Sequence, residues 1–172
     1  MLVCLLVPTL VYLFAVQEPA PRWRAAYFDN ARFEGAAEVR EERDVGHDWK
    51  GRRPAEGSGG DELSARWESC LRVKEGQRIA LQLTSRDGSR LFIDGVQVID
   101  NWGSHPRRTR GTELTLKAGV HPMRVEYSGL LESASVTLAA SFDHERPRRI
   151  APERLRLPEG DREGSCGVNT GK

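Results

Sequence analysis

The sequence predicts an all-β protein: an antiparallel β-sandwich of about nine to ten strands behind an N-terminal hydrophobic segment. Three observations predict it. First, the stretch LQLTSRDGSRLFIDGVQVIDN, Leu81 to Asn101, places Leu91 and Ile93 before Asp94-Gly95 and Val96 and Val98 after it. Asp-Gly is a favoured two-residue hairpin turn because both central residues take positive φ. Second, Ser85-Arg86-Asp87-Gly88 forms another turn cluster just ahead, so closely spaced turns frame short apolar strands. Third, the chain carries 17 Gly and 9 Pro and shows no long helical periodicity. Its 172 residues suffice for one domain with a real core.

The elements follow in order. Residues 1–17 are almost wholly apolar and uncharged over MLVCLLVPTLVYLFAV, and Gln17-Glu18-Pro19-Ala20-Pro21 then breaks the run. A membrane span needs about twenty such residues. A signal peptide should carry Lys or Arg ahead of the apolar run, and here there is none. The segment therefore reads as an anchor or a signal, with the anchor preferred. Cys4 inside it is a small hydrophobe. Strands are expected near 23–28, 36–41, 63–74, 78–85, 90–94, 96–100, 112–117, 121–128 and 134–142, with loops at 50–62, 101–111 and 128–133. The tail, 159–172, is Gly-rich and polar and predicts no fixed structure.

Charge excludes some partners. The formal net charge is +1 with both signs mixed, so bulk electrostatics give no reason to expect nucleic acid. Cys70 and Cys166 have two readings. Outside the cytoplasm they could form a disulfide that pins the tail; otherwise they are two thiols. The strand period of two sets Cys70 opposite Trp67, Leu71 and Val73. No C-x-x-C or Cys/His cluster suggests metal.

The same central stretch resembles a known family. TS-x-D-G-S-R-L-F-I-D-G-x-x-V-I-D-N-W-G is similar to the central motif of the protective-antigen-type domain, a β-sandwich module of anthrax protective antigen, yeast flocculins and adhesins, and glycosidase inserts. Other pieces match in order: Trp23 to Asn30 for the opening strand, Phe33-Glu34-Gly35 for a turn, and Val45 to Trp49. Ser64-Ala65-Arg66-Trp67, Ala118 to Tyr127, and Arg149 to Leu155 complete the set. The resemblance covers residues 22–158.

The resemblance implies a site. In its calcium-dependent sugar-binding members, two adjacent aspartates, a later asparagine and backbone carbonyls hold calcium, and sugar hydroxyls complete the shell. Calcium wants six to eight oxygens, several of them anionic. Here the first aspartate position is Arg86, the second is Asp87, and the asparagine position falls on Gly129. Asp87 is the only retained calcium-type ligand. A guanidinium beside a divalent ion is strongly unfavourable, so no metal or other cofactor is expected and calcium is disfavoured. A sharper hypothesis has Arg86 replace the ion by pairing with Asp87 and Glu132. The preferred reading of Asp87 is plainer, an Asx-turn carboxylate bound to backbone N–H groups.

A second loop, Asp100 to His105, brings Asn101, Trp102 and His105 together as a carbohydrate platform, although Trp102 reads first as a packing residue. The basic run Pro106 to Arg110 offers Arg107 to anionic groups. The candidate ligand-binding set is thus Arg86, Asp87, Asn101, Trp102, His105, Arg107 and Glu132. Trp23, Trp49 and Trp67 are expected to pack.

Catalytic patterns are missing from the sequence: no H-E-x-x-H, no G-x-S-x-G and no phosphate-binding glycine loop. His47, His105, His121 and His144 are scattered. Three function classes are open, and the enzyme class has least support. The expected function is a non-catalytic carbohydrate-binding module at the cell envelope, without the adhesin-type calcium site. The alternative is a protein-interaction or spacer domain of the same fold. The expected partners are a glycan or envelope polysaccharide, another envelope protein, and the membrane through the N-terminal segment. The resemblance implies that the domain lies on the extracytoplasmic side, membrane-anchored or secreted.

Overall fold

The computed structural model describes residues 20–54, 60–142, 145–160 and 165–167. The expected anchor or signal at 1–17, Cys4 and His144 lie outside the described residues. Among the described residues, no helix is long and apolar enough to cross a membrane.

Among the described residues, eleven strands are divided between two antiparallel sheets. In chain order they are β1 (Trp23–Phe28), β2 (Glu38–Glu42), β3 (Gly46–Asp48), β4 (Glu62–Val73), β5 (Gln77–Arg86), β6 (Gly88–Ile93), β7 (Val96–Asn101), β8 (Arg108–Leu116), β9 (Gly119–Leu130), β10 (Ser135–Phe142) and β11 (Leu155–Arg156). The first sheet runs β2-β1-β4-β9-β6-β7, with β11 also pairing with β4. The second runs β3-β10-β5-β8. Single 3-10 turns at Leu131–Ser133 and Pro152–Arg154 are the other regular elements.

The sandwich is as expected, and three details differ. β3 and β11 are too short to carry a legible alternation, yet β3 closes one edge of the second sheet and β11 extends the track of β1 along β4. β8 begins at Arg108, not near 112, because the arginine run is itself an edge strand pairing with Leu83 to Ser85. The polar tail is held in part. Cys166 is bonded to Cys70, with Cα atoms 5.6 Å apart, and the Arg156 guanidinium donates to Gly167 O at 2.7 Å. Polar composition alone does not reveal a covalent staple. The remaining tail residues lie outside the described set.

The core fills the space between the sheets. Alternation turns Ala25 and Tyr27, Ala65 and Trp67, Leu91 and Ile93, and Leu81 and Leu83 inward, all buried. Trp23, Trp49 and Trp67 are buried as well. At one end, His47 lies stacked against Trp49 (5.1 Å, 9°) and Trp67 (5.4 Å, 21°). The Glu42 carboxylate ties this group together. It accepts from Tyr27 Oη at 2.7 Å and Trp67 Nε1 at 2.8 Å, and His47 Nε2 lies 2.8 Å away. Burial pushes the Glu42 carboxyl up, but hydrogen bonds from His47, Tyr27 and Trp67 outweigh it and hold the group below the usual carboxylate range.

Two turns set the geometry of the site. Asp94 and Gly95 both take positive φ (52° and 76°), the conformation their dipeptide predicts. Asp87 alone joins β5 to β6, and there the chain passes from the second sheet to the first. Its φ of 63° is left-handed, which Asp tolerates better than most residues.

Candidate functional site

A cleft of about 240 Å³ opens beside this crossover. Five chain segments build it. The β5–β6 link supplies Asp87 and Gly88. The loop after β7 supplies Trp102, Gly103 and Ser104. The end of β9 supplies Ser128, Gly129 and Leu130, and Ala31 and Glu62 close the remaining side. Trp102 and Leu130, 38% and 54% exposed, put apolar surface at its lip.

Each segment is fixed by identifiable bonds. Asp87 N donates to His105 O at 3.0 Å, and Ser104 Oγ donates to Asp87 Oδ1 at 2.9 Å. These two bonds lock the carboxylate, and among the described residues nothing hydrogen-bonds its Oδ2. The loop at Ala31 is an Asx turn, in which Asn30 Oδ1 accepts from the N–H groups of Arg32 and Glu34 at 2.9 and 3.2 Å. Ser64 and Ser128 dock that loop by donating to Asn30 O and Ala31 O. Phe33 in the same loop sits at φ 60°, an outlier for a bulky side chain. Its ring stacks on Trp102 at 6.4 Å, and the Arg90 guanidinium lies over the Trp102 ring at 4.3 Å. Gly88 lets the indole close on the backbone, since a Cβ there would stand 3.3 Å from two indole carbons. Trp102 is therefore both packed and exposed, and it forms a wall of the cleft.

Gly129 explains itself sterically. A Cβ at this position would lie 2.5 Å from Tyr127 Oη and 2.8 Å from Asp87 Cβ. The Tyr127 phenol is fully buried and, among the described residues, its oxygen meets no hydrogen-bond partner. Burial first, and the Asp87 charge second, push its ionisation far above the ordinary range, so it stays neutral. The Ser135 backbone offsets this shift in part without meeting hydrogen-bond geometry.

The residues do not fit the calcium site that the resemblance implies. Position 86 carries a cation, and position 129 has no room for a side-chain oxygen. Among the described residues, no group of three or more His, Cys, Asp or Glu could hold a metal ion.

The seven candidate residues fall in different places. Asp87 and Trp102 line the cleft. Asn101 is fully buried, donates to Ser85 Oγ at 2.9 Å and accepts from Arg108 Nε at 2.7 Å, so it holds the loop from beneath. The His105 ring lies between Asn101 O and Pro106 O, at 2.9 and 2.8 Å. Arg107 is exposed on the same loop and is not among the cleft residues. Glu132 borders a separate depression with Arg53 and Asp61, on the far side of Leu130. The expected Arg86 pairing with Asp87 and Glu132 is not formed. Arg86 is exposed and continues the outer face of β5 with Gln82, whereas Asp87 turns inward. Sequence reasoning did not single out Gly88, Ser104, Ser128 or Leu130 as site residues, although Gly88 lies in the turn cluster and Ser104 in the Asp100 to His105 loop.

Comparisons with known proteins agree with this architecture. Residues 23–154 match the PA14 domain family. The chain is 27% identical over 138 residues to the anti-sigma-I factor RsgI3 of Acetivibrio thermocellus, covering 80% of this chain and 21% of that protein. A solved anti-sigma factor domain-containing protein superposes with a TM-score of 0.74 at 26% identity, over 83% of this chain and 50% of that one. The PA14 sugar-binding domain of an RTX adhesin superposes at 0.67 with 13% identity, over 80% of this chain and 98% of that one, a likeness of fold alone. The chain thus spans about a fifth of the curated relative and half of the solved anti-sigma structure.

Proposed function

This chain belongs to the PA14 domain family, and on that premise we propose that it is a non-catalytic carbohydrate-recognition module working without calcium. One observation carries the reading. The Asp87 carboxylate is locked by Ser104 and the left-handed backbone, with Oδ2 left as an acceptor in a cleft rimmed by exposed Trp102 and Leu130. Sugars offer hydroxyl donors on one side and C–H faces on the other, and this pairing suits both. At about 240 Å³ the cleft is smaller than drug-sized pockets of roughly 300–1,000 Å³, which favours one sugar ring of a longer glycan.

The Cys70–Cys166 disulfide supports an extracytoplasmic location, because such bonds persist in oxidising compartments. Arg22, Ser69 and Arg156 meet where both ends of the sandwich leave it. That point lies seven residues along β4 from Glu62 at the cleft, about 23 Å at strand rise. An anchor at 1–17 would hold the domain by the end away from the cleft. Calcium, where other members use it, would supply oxygen-philic coordination; here Asp87, Ser104 and the backbone orient the acceptor alone.

The likeness to anti-sigma factors favours a second reading, a protein-interaction or sensing domain in a longer signalling protein. A glycan array with the soluble domain from Ala20 onward decides between them. Binding that survives a chelator and is lost in Asp87→Ala supports the first reading. An empty array supports the second.

A further inference from the structure

The outer face of the first sheet carries a row of charge directly beside the cleft. Register places Arg66 opposite Glu126, Glu126 opposite Arg90, and Arg90 opposite Asp100. Glu126 is 2% exposed and takes three guanidiniums: Arg66 at 3.1 Å, Arg90 at 2.6 Å and Arg124 at 3.3 Å. Arg90 differs from its neighbours in position. It lies two residues from Gly88 on the same face of β6, which sets it next to the cleft. Its Nε is spent on Glu126, and its plane rests over Trp102 at 4.3 Å. Asp100, across the strand pair, accepts the Trp102 N–H on its Oδ1 at 3.0 Å and makes no ion pair with Arg90. The Arg90 Nη groups have no acceptor among the described residues, and the side chain is 33% exposed.

We infer that Arg90 is a ligand-contacting, specificity-determining cation at the lip of this cleft, and that it selects glycans bearing a carboxylate or sulfate group. The inference rests on the carbohydrate reading above. The reasoning is geometric. A guanidinium fixed at one edge by a buried carboxylate and across its face by an indole presents its remaining N–H donors in a set direction. That preorganised fork matches planar oxyanions and retains less rotamer entropy to lose on binding. A sugar ring against Trp102 and Asp87 would place an acidic substituent within reach of this fork.

The test is affinity for matched polymers at physiological salt: dextran, carboxymethyl-dextran and dextran sulfate, with hydroxyethyl- and carboxymethyl-cellulose as a second backbone. The inference expects an anionic form to bind at least about tenfold tighter than its neutral parent, and Arg90→Gln to remove that preference. Comparing the carboxylated and sulfated polymers then identifies which anion is read. Arg78→Gln, which removes the same charge from the other sheet, should keep the preference. Arg90→Lys retains a cation beside Glu126, guards against a folding defect, and should keep only part of the preference. Equal affinity for neutral and anionic forms overturns the inference while leaving the carbohydrate reading intact. Equal loss in Arg78→Gln and Arg90→Gln also overturns it, because bulk charge would then explain the binding. No binding to any polymer overturns both.

Discussion

Cutting the Cys70–Cys166 bond should lower the stability of this domain more than any single surface change. The bond joins residues 96 apart in sequence. Chain-entropy reasoning for a loop of that length gives about 4.7 kcal/mol, and removal of native disulfides generally costs about 2–5 kcal/mol. At this domain size each kcal/mol moves the melting temperature by about 2–4 °C, so a loss of about 2–5 kcal/mol lowers it by roughly 4–20 °C. Cys166→Ser is the better perturbation, because Cys70 is fully buried in β4 and its sulfur can remain as a small hydrophobe. The assay is calorimetric melting of the native chain, the reduced native chain and the variant. The last two should agree, since both free the tail held by Arg156 and by Arg24 at Gly160. A fall under about 3 °C would show that the tail is not restrained by this bond.

Three further outcomes follow from the site and core. Gly129→Ala should destabilise by about 1–3 kcal/mol in urea, because the added carbon meets Tyr127 Oη and Asp87 Cβ inside contact distance; an unchanged midpoint contradicts the packing described. Tyr127→Phe should be neutral or slightly stabilising, since it removes a buried oxygen without a partner, and a loss above about 1 kcal/mol would mean that the hydroxyl is bonded. The Glu42 carboxyl is held low in the folded state, so the unfolded chain binds more protons in acid. Its contribution is present above the unfolded-state value and is lost as pH falls through the folded one. Glu42→Gln should therefore flatten the acid limb of a stability–pH curve, and a limb of unchanged slope would contradict the assignment.

Much of the fold was legible because the sheets obey a period of two. The Asp94-Gly95 turn, the strands around it and the inward tryptophans could be read from local pattern. β3 and β11 could not, since three and two residues carry no alternation. Of the site, Asp87 and Trp102 were legible from their turn and their motif. Ser104, Ser128 and Leu130 were not, because the cleft is assembled from segments distant in sequence, and proximity is then a property of topology. Arg86 was misplaced for a simpler reason. Adjacent residues at a strand end face opposite ways, so neighbours in sequence need not be partners. Arg90 was invisible for the same kind of reason, because its meaning comes from Glu126 and Trp102 on adjoining strands and loops.

The proposed sugar cleft is centred on Asp87 and needs no metal. The most direct measurement is glycan-array binding of the wild-type domain and Asp87→Ala, each with calcium and with chelator. Wild-type binding should be indifferent to the chelator and absent from the variant. Binding abolished by the chelator, or retained in full by Asp87→Ala, would contradict this.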